Sequence, residues 1–240
     1  MLLYLVRHGE TSLNGRGIIQ GHLDPPLSPT GERQAQLLGG YLDTGQFAEV
    51  WTSDLRRAEQ TARLAVGNHG LPVRVDGRLR ARYMGSLQGL PWEDDIVYPP
   101  DVESDHMVAA RMASWLKDVV VAHTPASSPL GSLTADSCHF TYPPHVIEDK
   151  VLAIVHEECL HSLMILLRAS EGVDDFESST SPSSPLSTTE VPDHLRLQGH
   201  LANTAITVLK VWWEEDEGRV VPRGRVETWG STEHLGGAVT

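Results

Sequence analysis

Cysteine is almost absent from this chain: Cys138 and Cys159 are its 2 thiols in 240 residues. They cannot form a disulfide framework, and each is expected to behave as a small buried apolar group. Long apolar runs are missing too. No stretch approaches the roughly 20 apolar residues that cross a bilayer, and the first residues enter a strand pattern without a basic leader. The expectation is a soluble, cytoplasmic protein with no membrane partner. Positive charge is scarce, with 19 Lys and Arg against 32 Asp and Glu for a net charge of −13. That balance argues against a nucleic-acid partner and requires any anion site to be made locally positive within an acidic whole. What is present is 40% hydrophobic content, enough for one substantial core. One domain over residues 1–240 is the economical reading.

Strand and helix signals alternate along the chain. Leu2 to Val6 is a nearly continuous apolar run of strand length, as in a strand covered on both faces. Ser28-Pro29 offers an N-cap and a proline at the first helical position, and Ala35, Leu38 and Leu42 follow at helical spacing. Val50 to Thr52 reads as a second strand, followed by a helix from about Asp54 that Gly67 and Gly70 close, and Val73 to Val75 as a third strand. A helix from about Val102 to Val120, a strand at Val151 to Val155, a helix from about Cys159 to Arg168 and a strand at Ala205 to Val211 complete the set. Strands separated by helices predict an α/β sandwich around a mainly parallel sheet, with ligands outside the carboxyl ends of the strands. Residues 125–145 and 170–193 lack a sustained period and read as irregular surface inserts, the second of low hydrophobicity.

The stretch richest in chemistry is Leu5-Val6-Arg7-His8-Gly9-Glu10, an apolar strand that breaks at a glycine just after an arginine and a histidine. Transfer of a phosphoryl group to imidazole asks for a neutral ring nitrogen, a fixed cation for the phosphate oxygens, and a glycine where backbone comes close to the anion. Arg7, His8 and Gly9 supply those parts in order. Arg57 lies at the start of the helix after the second strand, and His156 ends the later strand, so groups from separate segments converge on one sheet edge. Arginine suits such a site because its planar fork binds two phosphate oxygens and stays charged.

The pattern continues through Asn14, Gln20-Gly21, Asp24, Leu27 to Gly31, Gln34-Ala35 and Ser53 to Ala62. Further landmarks are Arg78-Leu79-Arg80, Gly85 to Gly89, the strand ending at His156, Asn203 to Leu209, and Trp229 to Leu235. Together they resemble the histidine phosphatase superfamily, in particular its phosphoglycerate mutase-like branch. The resemblance implies a three-layer α/β/α sandwich and metal-independent hydrolysis of a small-molecule phosphate ester through a phosphohistidine at His8. It further implies that Arg7 and Arg57 clamp the phosphate, that His156 stabilises the transferring group, and that Asn14, Gln20 and Gly21 shape the pocket, with no cofactor and no metal.

Two departures stand against that pattern. The position matching the acid that protonates the leaving oxygen is Ala81, which carries no proton; general-acid help is worth about 10²- to 10⁴-fold. After His156 come Glu157 and Glu158, where the family often has small residues. A carboxylate roughly 4 Å from the phosphate contributes on the order of 4 kcal/mol at an effective dielectric of about 20, which offsets one arginine. Three readings stay open: the glutamates point away, Glu157 is protonated and replaces the missing acid, or the pocket no longer prefers phosphate. The alternative to hydrolysis is accordingly a repurposed or degenerate member using the same anion pocket for non-phosphoryl acid/base chemistry on a small metabolite, or for binding only.

Other chemistries fit less well. His156-Glu157 suggests the zinc motif His-Glu-x-x-His, yet the next histidine is His161, one position too far, some 140° around a helix from the first. Ser137-Cys138 near His139 has no glycine elbow. Trp212-Trp213 before Glu214 reads as an edge strand entering an acidic turn. Arg56-Arg57 lacks the aromatic interleaving and basic excess of a nucleic-acid patch.

Overall fold

In the computed structural model the alternating elements close into one seven-stranded sheet. The structure describes residues 1–67, 69–125, 149–169, 184–192, 200–216 and 219–236. In chain order the strands and helices are β1 (Leu2–Arg7), α1 (Pro29–Leu42), β2 (Glu49–Thr52), α2 (Arg56–Val66), β3 (Val73–Val75), α3 (Asp105–Ala122), β4 (Lys150–Val155), α4 (Glu157–Ala169), β5 (Thr188–Glu190), β6 (Ile206–Asp216) and β7 (Arg219–Ser231). The sheet order is β3-β2-β4-β1-β6-β7-β5. Strands β3, β2, β4 and β1 are parallel neighbours, β6 runs antiparallel to β1, β7 antiparallel to β6, and β5 parallel to β7. The parallel half is the one read from the sequence; the β6–β7 ribbon makes the sheet mixed.

Burial explains the apolar runs. With β4 on one side and β6 on the other, β1 is central, and Leu3, Leu5 and Val6 are fully buried. One face of the sheet packs Val6, Val50, Leu152 and Ile154 against Leu38 of α1 and Ala58 and Ala62 of α2. The other packs Leu3, Leu5, Val151 and Val155 against Met112, Trp115 and Leu116 of α3 and Leu160 and Leu163 of α4. Helices on both faces make the expected three layers. Among the described residues no helix is long and apolar enough to cross a membrane.

Helix starts follow their caps. Ser28 accepts from Gly31 N and Pro29 opens α1, as read from the sequence. The third helix begins at Asp105 instead of Val102, because the Ser104 side chain accepts from Met107 N. Helix α4 begins at Glu157 instead of Cys159, with His156 O accepting from Cys159 N and Leu160 N. Cys159 is buried as expected, while Cys138 lies outside the described residues.

The β5–β7 edge corrects the sequence reading. Residues 170–193 were expected to hold no strand, yet Thr188–Glu190 pairs with Arg223–Arg225, and Leu186 and Thr189 are 1% exposed. Strand β7 carries Pro222, which lacks an amide hydrogen and weakens any strand signal; there its carbonyl accepts from Ser187 N instead. The acidic run Glu214–Asp216 continues β6 and pairs with Arg219–Val221, so the chain after Trp213 is strand and not turn. Residues 170–183 and 193 of that insert, and 126–145 of the other, lie outside the described residues.

Candidate active site

Register brings the two histidines together. Arg7 pairs with Val155 across the parallel β1–β4 ladder, and His8 N donates to Val155 O at 3.0 Å. The residue after each strand end is therefore a neighbour of the other, and the His8 and His156 rings lie 5.1 Å apart. Arg57, in the first turn of α2, reaches the same point: its Nε donates to His8 Nε2 at 3.2 Å. Two of its four other N–H groups donate to backbone carbonyls, Nη1 to Leu23 O at 2.8 Å and Nη2 to Gly21 O at 2.9 Å. Burial pushes the Arg57 pKa down to about 10, which leaves the guanidinium charged at neutral pH.

The His8 tautomer follows from its partners. Nδ1 lies 2.7 Å from Gly9 O, a group that only accepts, so Nδ1 carries the proton. Nε2 faces Arg57 Nε, which only donates, so Nε2 presents a lone pair. Burial, reinforced by the Arg57 and Arg7 charges, holds the His8 pKa well below its usual 6.5 and keeps the ring neutral. His156 is depressed for the same first reason, with Arg57 next. Both of its ring nitrogens are buried without a hydrogen-bond partner among the described residues. Unpaired polar atoms of this kind are costly unless a ligand satisfies them.

Gly9 serves a different purpose from the expected one. Its N–H donates to Thr61 Oγ1 at 2.9 Å instead of facing an anion. A Cβ on Gly9 would stand 2.7 Å from Gly31 O, and one on Gly31 would stand 2.1 Å from Glu10 O. Both glycines exist so that the turn after β1 can lie against the start of α1. Gly21, at φ +51 and with no room for a side chain beside Gln88 and Met84, holds the carbonyl that anchors Arg57.

Arg7 is not a free clamp. Its Nη1 lies 2.8 Å from Glu157 Oε2 and 3.2 Å from His200 Nε2, and donates to Leu201 O. Glu157 Oε1 accepts from Leu201 N at 2.8 Å and lies 2.9 Å from His200 Nδ1. Although burial works to raise the Glu157 pKa, bonding to His161, the Arg7 charge and the Leu201 amide overcome it and hold the carboxyl below its usual range. A side chain so surrounded is set up to accept, which speaks against the reading in which Glu157 is protonated. Instead of pointing away it lines the cavity with its charge paired to Arg7, an arrangement outside the three readings drawn from the sequence.

These groups line a cavity of about 460 Å³ that also includes Asn14, Gln20, Gly21 and Glu158. Asn14 and Gln20 are tied together through Thr11, whose Oγ1 lies 3.1 Å from Asn14 Oδ1 and 2.9 Å from Gln20 Oε1. The predicted residues Arg7, His8, Asn14, Gln20, Gly21, Arg57, His156 and Glu157 thus share one cavity at the carboxyl end of β1 and β4. Ala81 does not line it: it is 2% exposed, its carbonyl is held by Arg111 and His22, and Arg82 and Met84 form the lining there.

Sequence reading did not assign roles to Arg82, Trp92, Tyr98, His161 or His200, all of which line the cavity. His161, the histidine out of step with a zinc motif, packs edge-on against Trp229 at 5.6 Å, and His156 precedes the helix altogether. Among the described residues no group of three or more His, Cys, Asp or Glu is arranged to hold a metal. Asn203 and Thr204 brace the floor: Asn203 Nδ2 donates to His8 O at 3.0 Å, and Thr204 N donates to Arg7 O at 3.1 Å. Thr204 does so at φ +60, strained for a β-branched residue and worth about 1–3 kcal/mol, with His234 Nε2 2.9 Å from its hydroxyl.

Residues 3–128 match a family model described as the histidine phosphatase superfamily, branch 1. The chain is 41% identical over 93 residues to the broad-specificity phosphatase YOR283W of Saccharomyces cerevisiae, a stretch covering 37% of this chain and 40% of that protein. It is 43% identical over 100 residues to the fructose-2,6-bisphosphatase TIGAR of Mus musculus, covering 37% and 35%. The matched stretch spans less than half the length of either curated relative. Among solved structures, mycobacterial glucosyl-3-phosphoglycerate phosphatase Rv2419c in complex with VO3 superposes with a TM-score of 0.65 at 26% identity, covering 96% of this chain and 99% of that one.

Proposed function

With membership of the histidine phosphatase superfamily as premise, we propose that this chain hydrolyses a small-molecule phosphate ester and that His8 Nε2 is the atom that takes up the phosphoryl group. The observation that carries the reading is the His8 tautomer. Gly9 O keeps the proton on Nδ1, so the lone pair stands on the nitrogen that faces Arg57 and the His156 ring. Attack by Nε2 forms the P–N bond as the ester P–O bond breaks, and the positive charge that develops on the imidazole is met by Gly9 O. Arg57, fixed on two carbonyls, supplies the cation for the phosphate oxygens, and Arg7 adds to it to the extent that its pairing with Glu157 leaves it available. His156, whose ring nitrogens have no partner among the described residues, can turn its one N–H to the same group. Water then adds to phosphorus, the P–N bond pair returns to Nε2, and inorganic phosphate leaves.

The test is a phosphoryl trap. Mixing the protein with a panel of labelled phosphate esters and quenching within the first turnover should leave an acid-labile, base-stable phosphate on His8. In His8→Ala it should vanish, together with roughly 10⁴-fold of kcat/KM. Turnover without any phosphate on His8 would overturn the reading. The Arg7–Glu157 pair, at 2.8 Å, favours a second reading in which the pocket binds a small anionic metabolite for non-phosphoryl chemistry. Absence of ester hydrolysis together with phosphate failing to compete for the site would select it.

A further inference from the structure

Resting on the phosphohistidine reading above, we propose that the substrate is an aryl phosphate: a monoester whose leaving oxygen is carried on an aromatic ring and departs as the phenolate without being protonated in that step. The cavity is two-sided. Against the floor of histidines and arginines stands a wall of Ile18, Ile19, Met84, Trp92 and Tyr98, which offers the leaving group apolar and aromatic surface. Trp92 and Tyr98 are 53% and 47% exposed, large ring surfaces that a flat apolar ligand would cover. Both are held in place. Trp92 N donates to Gly17 O at 2.7 Å beside the Ile18–Pro91 bridge, and the Arg82 guanidinium lies 5.7 Å from the Tyr98 ring centroid. The volume, about 460 Å³, takes a phosphate and a ring with room for substituents.

The acids are on the wrong side. Among the described residues the only carboxyl groups lining the cavity are Glu157 and Glu158, at the start of α4, and the lining histidines outside the floor, His161 and His200, stand on that same side, 3.8 and 2.9 Å from Glu157 Oε1. The segment that forms this part of the wall contributes Arg82 and Met84 and no carboxyl group, Ala81 lying buried behind them. A leaving group seated on this wall must therefore carry its own stability. Phenol ionises near pH 10, whereas an alcohol is about as weak an acid as water itself, so phenolate leaves with far less need of a donor. In the first step Nε2 bonds to phosphorus and the ester bond pair leaves on the phenolate, which takes a proton from bulk water at the mouth. In the second, water returns the phosphoryl group as inorganic phosphate and the neutral imidazole is restored.

Three compounds test this: phenyl phosphate, cyclohexyl phosphate of nearly equal size, and acetyl phosphate, which has a good leaving group and no ring. Phenyl phosphate should exceed cyclohexyl phosphate in kcat/KM by roughly 10²-fold or more. The ratio of phenyl to acetyl phosphate should fall about tenfold in Trp92→Ala, through KM. Equal rates on the phenyl and cyclohexyl esters with phosphate trapped on His8, or a ratio unmoved by Trp92→Ala, would overturn the aryl assignment alone. No hydrolysis of any of the three and no phosphate on His8 would overturn the phosphohistidine reading beneath it.

Discussion

The floor and the wall of the cavity are built in different ways. The floor comes from the ends of β1 and β4 and the first turn of α2, where backbone register and carbonyl partners fix His8, His156 and Arg57. The wall comes from segments between elements, around Ile18, Met84, Trp92 and Tyr98, held by a bridge and a few side-chain contacts. Moving a floor atom means breaking a sheet ladder; moving a wall atom means rearranging a turn. On the proposed reading, a fold of this design keeps the reaction on rigid elements and leaves the choice of leaving group to loops.

The largest expected effect comes from giving the wall side an acid. Ala81 is buried behind the lining formed by Arg82 and Met84, so the longer side chain of Ala81→Glu has to reach past them to the cavity, where desolvation pushes its carboxyl toward the protonated form and makes it a proton source. Turnover of an alkyl phosphate should rise by roughly 10²-fold or more, and that of an activated aryl phosphate by much less. Equal gains on both would mean that position 81 does not address the leaving oxygen. Since the site is filled, the longer side chain is expected to lower stability by about 1–3 kcal/mol, read from the denaturant midpoint.

A smaller effect is expected at the border of floor and wall. Glu157→Gln removes the carboxylate that occupies Arg7. The freed guanidinium should bind phosphate about tenfold more tightly, seen as a lower inhibition constant for inorganic phosphate, equivalent to about 1.4 kcal/mol. An unchanged or weaker constant would show that Glu157 serves to orient Arg7 and does not compete with the ligand.

The smallest expected change is in the floor itself. Because burial holds His8 and His156 well below 6.5, their ring resonances should stay at neutral-imidazole positions between pH 7.5 and 5.5. The unfolded chain takes up those protons near pH 6.5 while the folded one does not. This contribution to stability is therefore complete above that pH and declines as pH falls below it. Urea midpoints at pH 7.5 and 5.5 measure the decline, and a ring that titrates with a midpoint near 6.5 would break the argument for a neutral nucleophile.

Local signals carried much of this molecule. The apolar run before Arg7-His8, the Ser28-Pro29 cap, the Gly67 and Gly70 stop after α2 and the strand ending at His156 are each written within about one element's length of chain. They were enough to name the parallel half of the sheet and the residues at its carboxyl edge. The β5–β7 edge was not legible, since Pro222 and the polar residues around Leu186 make sense only once each strand has the other beside it.

The sequence by itself determined which residues stand at the strand ends, because a period of two or of 3.6 is a property of neighbours along the chain. Only the tertiary structure decided what those residues are. The proton of His8 is placed by Gly9 and Arg57 together, Gly9 is a glycine on account of Gly31, and Glu157 is a carboxylate because Arg7 and the Leu201 amide meet it. Protonation and charge pairing depend on which groups share a buried volume, and that volume exists only after strands distant in sequence have come together.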